Sequence, residues 1–197
     1  MAMIVEIAPP YPLERFGEER VTYKLSSVGV WIIVSEEGSP KYYMAVQQAD
    51  EPGLPWGIPA GKVSDVDQGF RSVGMREVQE ETGLELNRDE LRYLHWGWKH
   101  DGAETGYLIY AAEVDIGRIK GNRVQSLEDG TILYSPPADV NRQEISLLAL
   151  IPLELAFQHN LLNDHTYHAA ETYRGLTALR AAGYINGSFK FEEDPGL

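Results

Sequence analysis

Three glutamates are concentrated in five residues of the stretch REVQEETGL, which runs from Arg76 to Leu84. Glu80 and Glu81 follow Glu77 by three and four residues, so in a helix the three share an arc of about 100°. Like charges at these spacings repel each other. A divalent cation would offset that repulsion, and Mg²⁺ binds few carboxylates and completes its shell with water and substrate phosphates. The cluster is therefore a candidate metal–phosphate site, with a solvated acidic helix face as the alternative.

The segment before the glutamates is a loop that a phosphate group could approach closely. Its sequence, GIPAGKV, contains two glycines and leads into the same helix. Trp56 lies directly before this loop and could stack on a base or belong to the core. Lys62 lies within the loop and is a candidate phosphate contact. We therefore treat both as candidate substrate-binding residues.

The loop and the helix together carry a longer motif, GKVSDVDQGFRSVGMREVQEETGL, from Gly61 to Leu84. This segment resembles the Nudix box: a glycine, five residues, an acid, seven residues, then Arg-Glu-aliphatic-any-Glu-Glu-any-Gly-aliphatic. The positions that match by residue type are Gly61, Arg76, Glu77, Val78, Glu80, Glu81, Gly83 and Leu84. The preceding WGIPA also resembles the segment that leads into the box.

The chain departs from the box at its first acid. Asp67 stands where the box has a glutamate, and the gap from Asp67 to Arg76 is one residue too long. We favour the register that keeps Gly61 and places the extra residue near Gly69. The register without a gap would put Gln68 at the acid position and Lys62 at the glycine. The role of Asp67 stays open at this point.

The resemblance implies a chemistry and a set of ligands. It implies hydrolysis of the diphosphate linkage in a nucleoside diphosphate derivative, with release of a nucleoside monophosphate. Carried over by position, Glu77, Glu80 and Glu81 would bind Mg²⁺ or Mn²⁺, with the carbonyl of Ala60 as a further ligand. Glu80 and Glu81 would thereby be catalytic, and Arg76 would hold a catalytic glutamate in place. Such metals polarise phosphate oxygens and lower the pKa of an attacking water.

The group that accepts the proton from water is not specified by the box. Glu81 is one candidate. In other branches of the family a glutamate on a distant loop serves, and Glu128 or Glu144 could do so here. All three remain alternatives on the sequence alone.

Substrate class is indicated only by family analogy. The PAG before the box is similar to ADP-ribose and other nucleotide-sugar pyrophosphatases, which we favour. The alternatives are hydrolysis of nucleoside triphosphates or dinucleoside polyphosphates, and, in another functional class, a Nudix domain that binds a nucleotide as a sensor without cleaving it. The intact metal-binding half of the box favours hydrolysis.

Composition limits the partners. The chain has 197 residues and a net charge of −13, from 30 acidic and 17 basic residues, so its field opposes polymeric DNA or RNA. It has no cysteine. There is no apolar run of membrane-spanning length and no N-terminal basic segment followed by an apolar one. We expect a cytoplasmic protein without a membrane partner.

The remaining pattern, mixed strands around a central helix with helices at the end, predicts an α/β or α+β fold. The resemblance implies a Nudix-like α/β/α sandwich, with a mixed sheet, the box loop and helix, and C-terminal helices. Residues 27–34 and 41–48 read as a strand hairpin, and 68–82 as a helix ended by Gly83. Residues 117–144 read as a polar excursion with one short strand at TILY, and 145–161 as a helix bent at Pro152. A last helix is expected over 164–182. Residues 27–197 would form one domain, and 1–26 an N-terminal segment that helps to form a homodimer, as in the favoured branch.

Overall fold

The computed structural model describes residues 4–5, 23–49, 56–64, 67–98, 105–140 and 144–155, together with positions 179 and 183. Most of the N-terminal segment 1–26 and most of the expected last helix lie outside these residues. Leu179 is an exception, since it is fully buried against the sheet.

The described residues form one mixed sheet of nine strands and one α-helix. The strands are β1 (Ile4–Val5), β2 (Tyr23–Glu36), β3 (Ser39–Gln48), β4 (Ala60–Lys62), β5 (Arg92–Trp98), β6 (Thr105–Asp115), β7 (Asn122–Ser126), β8 (Ile132–Ser135) and β9 (Ile145–Pro152). The helix is α1 (Phe70–Thr82), and short 3₁₀ helices cover Arg88–Glu90, Ile116–Arg118 and Leu153–Leu155. No helix in these parts of the chain is long and apolar enough to cross a membrane. The expected α/β class with a mixed sheet is confirmed.

Strand β2 is the centre of the sheet, whose order is β5-β6-β2-β3-β9-β8-β7. Strand β6 runs parallel to β2 along almost its whole length. The other edge of β2 is shared, because β4 pairs with Ser27–Gly29 and β3 pairs with Ile32–Glu36, both antiparallel. The short strand that carries the start of the motif is therefore part of the central sheet.

The two faces of the sheet carry separate apolar cores. The alternating residues Val28, Val30 and Ile32 of β2 face α1, and Trp31 and Ile33 face the other way, as expected for a strand buried on both sides. Helix α1 covers the first face with its buried valines at 73 and 78. The second face includes Leu179, so the C-terminal part of the chain covers it at this point.

Helix α1 begins two residues later than expected and ends where expected. Gly83 adopts a left-handed conformation, φ 72°, and its N–H donates to the carbonyl of Gln79 at 2.9 Å. At the other end Gly69 has φ 128°, a conformation that favours glycine. The extra residue of the motif is therefore accommodated before the helix, and the register of its carboxylates is undisturbed.

Two expectations for the second half of the chain were wrong. Residues 145–152 form strand β9 rather than a helix, because this apolar run is buried between β3 and β8. A continuous apolar run does not separate a buried strand from a buried helix by period. The polar excursion contains a second strand, β7, whose five residues are all exposed and so show no alternation.

Candidate active site

The loop before β4 is held in the gap between β3 and β2. The backbones of Val46 and Gly57 exchange two hydrogen bonds, 2.8 and 3.0 Å long. The N–H of Val30 donates to the carbonyl of Pro59 at 2.9 Å. Sheet pairing therefore fixes the backbone that precedes Ala60, one of the expected metal ligands.

Glu77 lies directly on the backbone of Gly61. A Cβ atom added to Gly61 would lie 2.0 Å from the carboxyl carbon of Glu77, so no other residue fits there without displacing that carboxylate. Burial raises the pKa of Glu77, with repulsion from Glu80 and Asp67 adding to it, and Arg76 opposes that rise. The glycine that opens the motif is thus explained by the close approach of an acidic side chain.

Glu81 is as buried as Glu77, since each is 8% exposed. One carboxylate oxygen accepts a hydrogen bond from the N–H of Ala60 at 3.2 Å. Burial raises the pKa of Glu81 to about 8; the Ala60 hydrogen bond opposes the rise, and repulsion from Glu77, Glu144 and Glu80 adds to it. Glu81 is therefore poised to exchange a proton near neutral pH.

Arg76 connects the other two glutamates. Its Nη1 lies 2.6 Å from Oε1 of Glu77 and 2.9 Å from Oε2 of Glu80. Its Nη2 donates to the carbonyl of Lys62 at 3.0 Å, which ties α1 to β4. One guanidinium nitrogen thus holds two carboxylates of the cluster around a single positive charge.

Asp67 pairs with the same guanidinium. Its carboxylate lies 3.2 Å from Nε and 3.3 Å from Nη2 of Arg76, and it also accepts hydrogen bonds from the N–H and hydroxyl of Ser64 at 2.8 and 2.7 Å. Burial opposes ionisation of this side chain, which is 3% exposed, but the hydrogen bonds from Arg76 and Ser64 outweigh it and lower the pKa of Asp67. Gln68, the alternative in the gapless register, is exposed. The geometry agrees with the register that begins at Gly61.

Residues 24–143 match the family model described as the NUDIX domain. This chain belongs to the Nudix domain family. The Nudix domain of NrtR from Shewanella oneidensis, solved in complex with ADP-ribose, superposes with a TM-score of 0.56 at 15% identity, over 88% of this chain and 94% of that chain. The MERS1–RNA complex from T. brucei gives 0.50 at 10% identity, over 74% and 57%. The C. elegans Ap4A hydrolase gives 0.47 at 16% identity, over 79% and 97%. No curated protein sequence matches the chain.

The three glutamates of α1 and the carbonyl of Ala60 form a set of oxygen donors that suits a hard divalent cation. Members of this family typically depend on divalent metals, and Mg²⁺ and Mn²⁺ prefer carboxylate and carbonyl oxygens. Glu77, Glu80, Glu81 and the carbonyl of Ala60 supply such atoms. Burial, with added repulsion from the neighbouring glutamates, raises the pKa of Glu81, and a bound cation would oppose that rise. In the part of the chain that the structure describes, no three acidic or histidine side chains already surround one point. Glu77 and Glu80 are engaged by Arg76 instead.

The two candidate substrate-binding residues differ in their surroundings. Trp56 is partly buried and packs against the core on the face of the sheet away from α1, in agreement with a structural role. Lys62 is exposed on β4, next to Gly61. Of the two, only Lys62 presents an exposed side chain.

The two distant candidates for the proton acceptor lie at opposite ends of β9. Glu144 directly precedes β9 and is close enough to Glu81 to raise its pKa. Glu128 lies in the turn between β7 and β8, where Gly130, two residues further on, faces Pro152 at the far end of β9. Eight residues of strand separate these ends by about 25 Å. Of the two, Glu144 is the one that the fold brings to the Nudix carboxylates.

Ser64 is a site residue that sequence reasoning does not single out. It fixes Asp67 through its N–H and its hydroxyl, in the Ser-x-x-Asp spacing SDVD. Serine and aspartate at this spacing favour local turns closed by side-chain hydrogen bonds. The Ser-x-x-Asp spacing is therefore the sequence signal that could have identified Ser64.

Proposed function

We propose that this Nudix domain hydrolyses the diphosphate linkage of a nucleoside diphosphate derivative in the presence of Mg²⁺ or Mn²⁺, releasing a nucleoside monophosphate. The observation that carries the proposal is the buried Glu81, held on the Ala60 backbone beside two further carboxylates. An acid buried beside other acids destabilises the folded state, so a purely structural role does not account for it. The same arrangement suits a site that binds cations and moves protons.

Each residue of the site has a defined part in this proposal. Glu77, Glu80, Glu81 and the Ala60 carbonyl would hold the metal, which when bound neutralises diphosphate charge and lowers the pKa of the attacking water. Arg76 keeps the Glu77 and Glu80 carboxylates in place. Either Glu81 or Glu144 accepts the proton of that water.

The favoured substrates are ADP-ribose and nucleotide sugars. This preference is supported by the PAG that precedes the box and by the NrtR Nudix domain, which was solved with ADP-ribose. Nucleoside triphosphates and dinucleoside polyphosphates are the alternatives. We also propose a homodimer formed with the help of residues 1–26; light scattering at micromolar concentration would exclude it by giving a monomer mass.

Binding without cleavage is the second candidate function. It is favoured by one observation: Arg76 occupies both Glu77 and Glu80, so that a cation would have to compete with a guanidinium for these oxygens. In that case the domain would bind a nucleotide as a sensor. The two functions differ in whether product appears.

A substrate panel separates these possibilities. ADP-ribose, NADH, a nucleotide sugar, a dinucleoside polyphosphate and ATP would be incubated with Mg²⁺ or Mn²⁺, and products separated by chromatography. We expect AMP from ADP-ribose faster than from ATP, and no product in excess EDTA. Glu80→Gln should lose this activity, whereas Glu36→Gln, which removes an exposed acid paired with Lys41, should retain it. Calorimetric binding of ADP-ribose with no product from any substrate would favour the sensor instead.

A further inference from the structure

A cavity lies beside α1, apart from the clustered carboxylates. Its volume is about 410 Å³, within the range of small-molecule sites. At 100° per residue, Arg71 and Met75, two of the helix residues that line it, project roughly opposite to Glu77 and Glu80. The lining residues that matter here come from α1, the 3₁₀ helix after it and β6: Phe70, Arg71, Ser72, Met75, Arg88 and Tyr110.

The charge of this cavity is opposite to that of the chain. Among the lining residues that the structure describes, two are arginines and none is acidic, in a protein of net charge −13. Nη1 of Arg71 donates to the carbonyl of Arg88 at 3.0 Å, which ties α1 to the 3₁₀ helix. Neither guanidinium forms an ion pair with another residue that the structure describes; the nearby acid Glu90 is paired with Arg118. Two guanidinium groups are thus left to face an anion.

The cavity is also lined by aromatic groups. Tyr110 is buried in its wall, and Tyr93 of the neighbouring strand packs edge-on against it, with ring centroids 6.3 Å apart and planes at 79°. Burial raises the pKa of Tyr110, while Arg71 and Arg88 oppose that rise, so both guanidinium groups lie near its hydroxyl. Tyr93 is 52% exposed and does not itself line the cavity, but lies beside it through this contact with Tyr110. An exposed ring of this kind is a surface on which a planar molecule can stack.

We propose that this cavity is a second binding site, for a phosphate-bearing aromatic molecule of the nucleoside monophosphate class. Arg71 and Arg88 would bind the phosphate, since guanidinium groups pair with phosphate oxygens through two parallel hydrogen bonds. Tyr93 and Tyr110 would contact the base. The site uses none of the metal-binding carboxylates, so it does not depend on the hydrolytic activity.

Binding of AMP in excess EDTA tests the proposal, because metal-dependent binding at the carboxylates is then suppressed. We expect saturable binding to one site per chain by calorimetry. Arg88→Gln should weaken it at least about tenfold, the effect of losing one charge-assisted contact. Arg123→Gln is the matched control, because it removes an arginine from the exposed edge strand β7, and it should leave binding unchanged. Arg71→Gln is a second variant and should weaken binding as well; it comes second because the Arg71 guanidinium also joins α1 to the 3₁₀ helix, a contact that Arg88→Gln leaves in place.

A further variant and two further ligands in the same binding experiment identify the class of ligand. Tyr93→Ala changes an exposed residue and should weaken AMP but not inorganic phosphate; adenosine, which lacks phosphate, should bind weakly to every variant. The proposal is overturned if AMP does not bind saturably at millimolar concentration, or if both arginine variants bind it like the wild type. Loss of binding in Glu81→Gln but not in Arg88→Gln would place AMP at the carboxylates and overturn it as well.

Discussion

The carboxylate of Asp67 lies 3.2 and 3.3 Å from Nε and Nη2 of Arg76, the residue that also holds Glu77 and Glu80. Asp67 is thus a positioning residue, since it acts on the cluster through a guanidinium. We expect Asp67→Asn to lower the free energy of unfolding by about 1–3 kcal/mol, because it leaves a partly buried charge less well paired. Chemical denaturation measures this effect, and turnover should fall with it.

The dependence of the free energy of unfolding on pH, measured at acidic pH, gives a second test of this prediction. The lowered pKa of Asp67 means that its contribution to stability is present above its unfolded pKa of 3.8 and is lost as the pH falls through the lower folded value. Asp67→Asn should remove that part of the pH dependence. Asp139→Asn, an exposed control, should retain it. Identical acid limbs in wild type and Asp67→Asn would contradict the ion pair.

Neutralising the clustered glutamates separates a functional from a structural role. Glu80→Gln removes one exposed ion-pair partner and should change metal-free stability by no more than about 0.5 kcal/mol. Turnover should nonetheless fall about a hundredfold or more, the scale for loss of a metal ligand or catalytic base. Stabilisation by added Mg²⁺ should shrink in thermal unfolding. Near-wild-type turnover in both Glu80→Gln and Glu81→Gln would show that the cluster is not catalytic.

Two glycines of the same loop offer a matched pair of variants. Gly61→Ala puts a methyl group 2.0 Å from the Glu77 carboxyl carbon, so the carboxylate must move. At Gly57 no other described residue beyond its chain neighbours has an atom within 4 Å of the added carbon, so Gly57→Ala should be tolerated. We expect at least a tenfold loss of turnover in the first and little change in the second, since even small displacements of catalytic groups are costly. Equal activity would contradict the close approach of Glu77.

The raised pKa of Glu81 predicts a pH dependence for the metal-free protein. Because the folded pKa is about 8 and the unfolded one 4.5, stability is fully present below 4.5 and is lost as the pH rises towards 8. One proton gives a slope of at most about 1.4 kcal/mol per pH unit. Glu81→Gln should flatten this slope in denaturant titrations made in EDTA. With Mg²⁺ the slope should weaken in the wild type, because metal binding needs the ionised carboxylate.

The two ends of β9 provide the test for the proton acceptor. Glu144→Gln should lower kcat markedly. It should also change how kcat depends on pH, because Glu144 interacts with Glu81. Glu128→Gln should leave both unchanged, since that residue lies about 25 Å away along β9. A larger effect of Glu128→Gln on kcat would contradict this assignment.

Local patterns predicted the parts of this fold that are local in origin. The first hairpin, α1 with Gly83 at its end, and the carboxylates on one arc of α1 follow from alternation, capping and helical period. The division of one edge of β2 between β4 and β3 could not be predicted, because it depends on pairing between segments far apart in sequence. Strand β9 was misread for a related reason: both its faces are covered, so its apolar residues carry no period.

The site residues that match the motif could be predicted from the sequence. The role of the residue next to the insertion could not. Glu77, Glu80 and Glu81 stand on α1 as their spacing requires, whereas Asp67 could be related to Arg76 only after the turn at Gly69 was known. Glu144 could be named from sequence only as one of two distant acids. Its proximity to Glu81 arises from the pairing of β9 with β3.

The pairing of the loop with Val30 and Val46 limits how this molecule can admit a substrate. Opening the segment around Gly57 and Pro59 would break three backbone hydrogen bonds of the central sheet. We therefore expect this segment to stay fixed rather than to act as a lid, and we expect the neighbouring Ala60 carbonyl to keep its position when a substrate binds. Any conformational change that fits the site to a substrate should then occur in other parts of the chain that contact this segment.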